Sequence, residues 1–135
     1  MNLANYSTDT RTKVLVYGPP KSGKTALVGK LASDFNLWWL DLESGIKTLL
    51  NPEMLKPEYR QNIKVFSIPD HRLYPVAIDT IRDIFRGGAK KICSAHGKVN
   101  CPTCAKSGAD VEEIDIAKLG PKDILVIDSL SQLAR

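Results

Sequence analysis

The sequence predicts an α/β domain built on a mostly parallel sheet, and three observations carry that reading. Short β-rich apolar runs alternate with segments whose apolar residues recur at helical spacing. A glycine-containing loop sits at the first strand-to-helix junction. A continuous apolar run late in the chain, "DILVIDSL" at 123–130, is of the kind that a parallel sheet covered on both faces requires.

Taken in order, "KVLVY" (13–17) reads as a first strand ending at Gly18. A helix follows, with Leu27, Val28, Leu31, Ala32 and Phe35 on one face. "LWWLDLE" (37–43) is a second, largely buried strand, with Trp38 and Trp39 read as core rather than as a base-stacking platform. Residues 45–50 form a short helix stopped by Asn51 and Pro52. "IKVFSI" (63–68) is a third strand, followed by Pro69 and Asp70. From Pro75, suited to a first helical turn, Ala77, Ile78, Ile81, Ile84 and Phe85 recur at helical spacing until Gly87 and Gly88 end the segment. The fourth strand is the run at 123–130. Strands joined by helices imply right-handed crossovers. Residues 87–121 are the exception. They show little periodicity over a length unusual for a loop in a compact domain, so an insertion at about 88–120 needs its own source of order.

The 135 residues suffice for one domain with a real core. No apolar run approaches the roughly 18 residues that span a bilayer, and the polar start lacks the regions of a signal peptide, so the expectation is a cytoplasmic protein without a membrane partner. Nineteen basic against fifteen acidic residues give +4, a lean toward a polyanionic partner.

"GPPKSGKT" (18–25) fits the phosphate-loop pattern G-x-x-x-x-G-K-[ST], which average composition would produce in a chain of this length roughly once in 200. Its position between a predicted strand and a predicted helix is where the mechanism needs it, because successive backbone N–H groups must converge on phosphate oxygens. Gly18 and Gly23 permit the tight turn, Lys24 reaches the β and γ phosphates, and Thr25 offers a hydroxyl to Mg²⁺. Pro19 and Pro20 have no N–H, so the cradle is made from Lys21, Ser22, Gly23, Lys24, Thr25 and Ala26. The second Mg²⁺ element is an acid at the end of an apolar strand, and "ILVID" supplies Asp128. Position 129 is Ser rather than the Glu that many ATPases place there, so the water-activating base is assigned to Glu43 at the end of the second strand.

The phosphate loop, Asp41-x-Glu43, and Asp128 followed by Ser129 together resemble the RecA superfamily of recombinases. "LVYGPPKSGKT", "WWLDLESGIKTLL" and "VIDSLSQLA" are similar to the RecA-like nucleotide-binding proteins of bacteriophages, the Sak-type single-strand-annealing ATPases. The resemblance implies a RecA-like three-layer sandwich that binds ATP and Mg²⁺ and acts on single-stranded DNA as a homo-oligomer. It carries over Lys24 and Thr25 as phosphate and Mg²⁺ ligands, Asp128 as the Walker B acid and Glu43 as catalytic base. Asp41 inherits no chemical role, and a buried cap or hydrogen-bond acceptor describes it as well. RecA-type sheets place a further strand between the phosphate-loop strand and the Walker B strand. The chain stops at Arg135, so the expectation is the N-terminal part of a longer domain, with weak ATP binding and little turnover by itself.

The insertion holds all three cysteines and one of the two histidines, spaced Cys93-x₂-His96-x₄-Cys101-x₂-Cys104. Random placement would gather three cysteines this closely about 2% of the time, and two short-spaced ligand pairs joined by a brief connector close a Zn²⁺ tetrahedron with no open position for catalytic water. Lys90, Lys91, Lys98 and Lys106 surround the cluster, either balancing the site's charge of about −1 or meeting DNA phosphates. His71 has no such company and is assigned to an exposed loop. Two other readings compete with the annealing ATPase: a nucleotide kinase whose zinc insert is a lid, and a non-enzymatic nucleotide-binding docking module.

Overall fold

The computed structural model describes residues 2–5, 11–69, 76–107 and 110–129. Its centre is a three-stranded parallel sheet in the order β2-β1-β5, from β1 (Asn36–Asp41), β2 (Ile63–Ser67) and β5 (Asp123–Asp128). The strand with the most extensive burial takes the middle. β1 is buried at Leu37, Trp39, Leu40 and Asp41, and each of its residues has a register partner in β5, from Asn36 with Asp123 to Asp41 with Asp128. On the other side it pairs with β2 from Leu37 with Ile63 to Asp41 with Ser67. The ladders continue one step past the strands, Leu42 N–H donating to the Asp128 carbonyl and Ile68 N–H to that of Asp41.

Alternation along β1 sends side chains to two separate cores. Leu37 and Trp39 pack with Ala32, Leu49 and Leu55, together with Val28 and Ile46, under α1 (Lys24–Gly29), the 3-10 turn that extends it (Lys30–Ser33) and the turns at Gly45–Leu50 and Pro57–Asn62. Leu40 and Leu42 pack on the opposite face with Phe66, Ile68 and the apolar stripe of α2 (Val76–Phe85). Ala77, Ile81 and Ile84 form that stripe at helical spacing, and Gly87 and Gly88, both at positive φ, end the helix as expected.

The insertion has regular structure that periodicity does not predict. β3 (Lys90–Cys93) pairs antiparallel with β4 (Val111–Ile114), and α3 (Pro102–Ser107) lies between them in sequence. Ile92 and Ile114 point into the α2-side core, so the hairpin forms part of that layer. Lys64 fastens its outer side, with Nζ 3.1 Å from Glu112 Oε2 and 5.1 Å from the centre of the Trp38 ring, itself stacked on Phe66. Exposed pairs of this kind contribute about 0.5–1 kcal/mol each.

Two expectations are corrected. Residues 13–17 belong to no strand, with Val14 79% and Tyr17 86% exposed. β propensity requires a neighbouring strand to express it, and among the described residues none pairs with this segment. The helix after the loop is shorter than its apolar spacing implies, passing into the 3-10 turn at Lys30. Asp70, His71, Pro75 and residues 130–135 lie outside the described residues. No helix among the described residues is long and apolar enough to cross a membrane.

Candidate functional site

The loop before α1 is shaped by left-handed backbone at Lys21 (φ 63°) and Gly23 (φ 89°), the latter capping the helix. Lys24, the first helical residue, folds back across the loop. Its Nζ donates to the Gly18 carbonyl at 2.8 Å and to that of Pro19 at 2.9 Å. Beside it lies a cleft of about 510 Å³ lined by Gly18, Ser22, Gly23, Lys24 and Ala26, with Tyr17 and Lys30 on its walls. Lys21 is exposed and lines no part of this cleft.

Thr25 faces the sheet. Its Oγ1 donates to Asp128 Oδ2 at 3.1 Å, joining residues 103 positions apart, and Gly45 closes over the pair. A Cβ at Gly45 would stand 3.3 Å from Asp128 Oδ2 and 3.7 Å from Thr25 Oγ1. Glu43, exposed just past β1, accepts a 2.6 Å hydrogen bond from Ser129 Oγ. The structure therefore gathers Thr25, Asp128, Ser129 and Glu43 at the carboxyl edge of β1 and β5. Burial raises the Asp128 carboxyl above the usual Asp range and Glu43 adds to that, while the Thr25 hydroxyl, the Trp39 indole and Lys24 oppose it. Burial likewise raises Asp41, with Asp128 adding to the effect and the backbone N–H groups of Ile46, Gly45 and Glu43 opposing it. The Trp39 N–H faces Asp128 without closing a hydrogen bond to it. A hydroxyl and a carboxylate in contact, backed by further carboxylates, are the hard oxygen donors that Mg²⁺ takes.

The second site is in the insertion. Cys93 closes β3, Cys104 lies in α3 and Cys101 immediately precedes it, all three buried, while His96 stands at the surface. Positive φ at Gly97 and Asn100 turns the chain between ligands. His96 Nδ1 lies 3.8, 3.6 and 3.3 Å from the sulfurs of Cys93, Cys101 and Cys104, and the four ligand atoms all fall within 4.8 Å of one another. Zn–S and Zn–N bonds of ordinary length in a tetrahedron place sulfur and nitrogen about 3.6 Å apart, so this group can hold zinc through Nδ1. The Cys104 N–H draws the Cys101 thiol down to about 6, whereas burial and the neighbouring sulfurs push Cys104 up to about 11. Lys91, Lys98 and Lys106 are exposed around the cluster and Lys90 is half-buried.

Sequence reasoning missed how this centre is seated. Thr80, 2% exposed on the apolar face of α2, donates from Oγ1 to the Gly97 carbonyl at 2.6 Å, and Gly97 N–H donates to the Cys93 carbonyl at 2.9 Å. A Cβ at Gly97 would meet Ile68 Cα at 2.8 Å. A threonine on an otherwise apolar helical stripe is the trace of this contact in the sequence. No family model, curated protein or solved structure matches this chain.

Proposed function

We propose that the chain is an Mg²⁺-dependent, ATP-binding module of the RecA-like class that acts on single-stranded DNA, with a structural zinc centre. The observation that carries this reading is the 3.1 Å contact between Thr25 of the phosphate-loop motif and Asp128 at the end of β5, two residues that a Mg²⁺–nucleotide complex requires side by side. When bound, Mg²⁺ would neutralise charge on the phosphate oxygens. Lys24 then exchanges the neutral carbonyls of Gly18 and Pro19 for anionic phosphate oxygens, a stronger partnership for an ammonium group. Glu43, steadied by Ser129, takes the proton of the attacking water. Thr25 and Asp128 hold the cation, and Ser22, Gly23 and Ala26 line the phosphate approach.

A kinase lid would stand over the loop. The zinc-bearing hairpin instead packs through Ile92 and Ile114 on the sheet face opposite α1, which favours the DNA-acting reading over a kinase. The exposed lysines of the zinc knuckle are the proposed phosphate contacts. Titration with a fluorescent ATP analogue plus Mg²⁺ tests the nucleotide assignment, with Lys24→Ala weakening binding at least tenfold; equal affinity in both proteins rejects it. Stimulation of ATP hydrolysis by single-stranded DNA in an assembled homo-oligomer separates this function from a docking module. Reversing the charge of Lys90, Lys91, Lys98 and Lys106 should flatten the salt dependence of DNA binding, and an unchanged slope removes the knuckle from the DNA site.

A further inference from the structure

Two buried polar atoms of the described residues have no hydrogen-bond partner, Trp39 Nε1 and Asp41 Oδ1. Both come from β1, two residues apart and so on one face of the strand, and both border Asp128. Trp39 is 1% exposed and Asp41 5%. Parallel register pairs Asp41 directly with Asp128, which puts the two carboxylates on the same face, about 4.8 Å apart along the ladder. The backbone N–H groups of Glu43, Gly45 and Ile46, in the turn after β1, lie near enough to the Asp41 carboxylate to oppose the rise of its pKa, and none of them closes a hydrogen bond with Oδ1. That turn is also the one whose Gly45 closes on Asp128 Oδ2 and Thr25 Oγ1. Asp41 thus carries a buried oxygen without a partner, in the residue that stands opposite Asp128 in the ladder.

We infer that Asp41 is a third oxygen donor of the divalent-cation site, its bare Oδ1 meeting the cation directly or through one of the waters Mg²⁺ retains. The assignment rests on the Mg²⁺–nucleotide reading of Thr25 and Asp128. It explains why a carboxylate is buried with one oxygen unsatisfied, since a buried carboxylate needs hydrogen bonds or a metal on both.

Mn²⁺ is the probe, titrated into the full chain with a non-hydrolysable ATP analogue and followed through the electron-resonance signal of the free ion, in buffer stripped of other divalent cations. Asp41→Asn keeps an acceptor for the backbone N–H groups and removes the charge. The expected result is a wild-type circular-dichroism spectrum with Mn²⁺ affinity of the nucleotide complex about tenfold lower. Mn²⁺ affinity unchanged in Asp41→Asn but lost in Asp128→Asn overturns the inference and leaves Asp41 a turn cap. Mn²⁺ affinity unchanged in both overturns the Mg²⁺ reading of Thr25 and Asp128 and this inference with it. If Asp41→Asn lacks wild-type circular dichroism, Asp41→Glu carries the test. It keeps the charge but moves the oxygens by one methylene, so Mn²⁺ affinity should change at least threefold, and no change overturns the inference.

Discussion

Replacing Gly97 by Ala tests whether the Cys₃His knuckle is seated on the core or merely tethered to it. Gly97 is buried at φ +64°, a conformation that costs an alanine about 1–2 kcal/mol. Its new Cβ would lie 2.8 Å from Ile68 Cα, 3.0 Å from Pro69 Cδ and 3.2 Å from Ile68 Cγ2. The first two belong to backbone and a proline ring, which cannot rotate away, so overpacking adds about 1–3 kcal/mol. The sum, about 3 kcal/mol, corresponds to a fall in Tm of about 10 °C for a chain of this size. Gly88→Ala is the matched control. Its φ of +81° carries the same backbone penalty, but nothing lies within 4 Å of the added methyl, so only about 5 °C should be lost. Thermal unfolding followed by circular dichroism, with zinc content measured on each purified protein, reads the difference. Equal shifts for the two variants would refute the seated knuckle.

Three further outcomes are expected. Cys104→Ser should abolish stoichiometric zinc in elemental analysis and expose Ile92 and Ile114, seen as increased binding of an apolar dye, because a three-ligand set no longer closes the tetrahedron. Thr80→Val, nearly isosteric, should lower stability by about 1–3 kcal/mol in urea unfolding, since it strands the buried Gly97 carbonyl. Without Mg²⁺, the raised carboxyl of Asp41 contributes stability that is full below its ordinary value of 3.8 and is lost as pH rises through the raised folded value. Asp41→Asn lacks that loss, so without divalent cation it should melt above wild type at pH 7.5, with the gap closing toward pH 4.

Much of this was legible in the sequence because burial on both faces leaves unbroken apolar runs. The strands now seen at Asn36–Asp41, Ile63–Ser67 and Asp123–Asp128 read that way, and the stripe of α2 showed helical spacing. Residues 13–17 carry the same composition, yet composition cannot specify whether a neighbour is present to complete the ladder. β3 and β4 were invisible for the opposite reason. Each directs one or two apolar residues inward and otherwise presents Lys, Glu or the exposed Val111 to solvent, so they are held by the burial of Ile92, Cys93 and Ile114 and by Lys64–Glu112 more than by propensity. At the site, residue type and spacing marked Thr25, Asp128 and the Cys₃His group. The unpartnered oxygen of Asp41 depends on how the turn after β1 places its backbone N–H groups, and no local pattern encodes that.

The seating of Gly97 on Ile68 also bears on the order in which the domain assembles. Strands β2 and β5 flank β1 but are separated in sequence by residues 68–122, so bringing β5 home means closing a long loop against chain entropy. The knuckle closes locally, within twelve residues, and its contact with Ile68 and Thr80 divides that loop into two shorter ones before β5 arrives. Zinc would then act as a topological staple, lowering the effective contact order of the sheet, and its influence would fall on the rate of folding as much as on the finished fold.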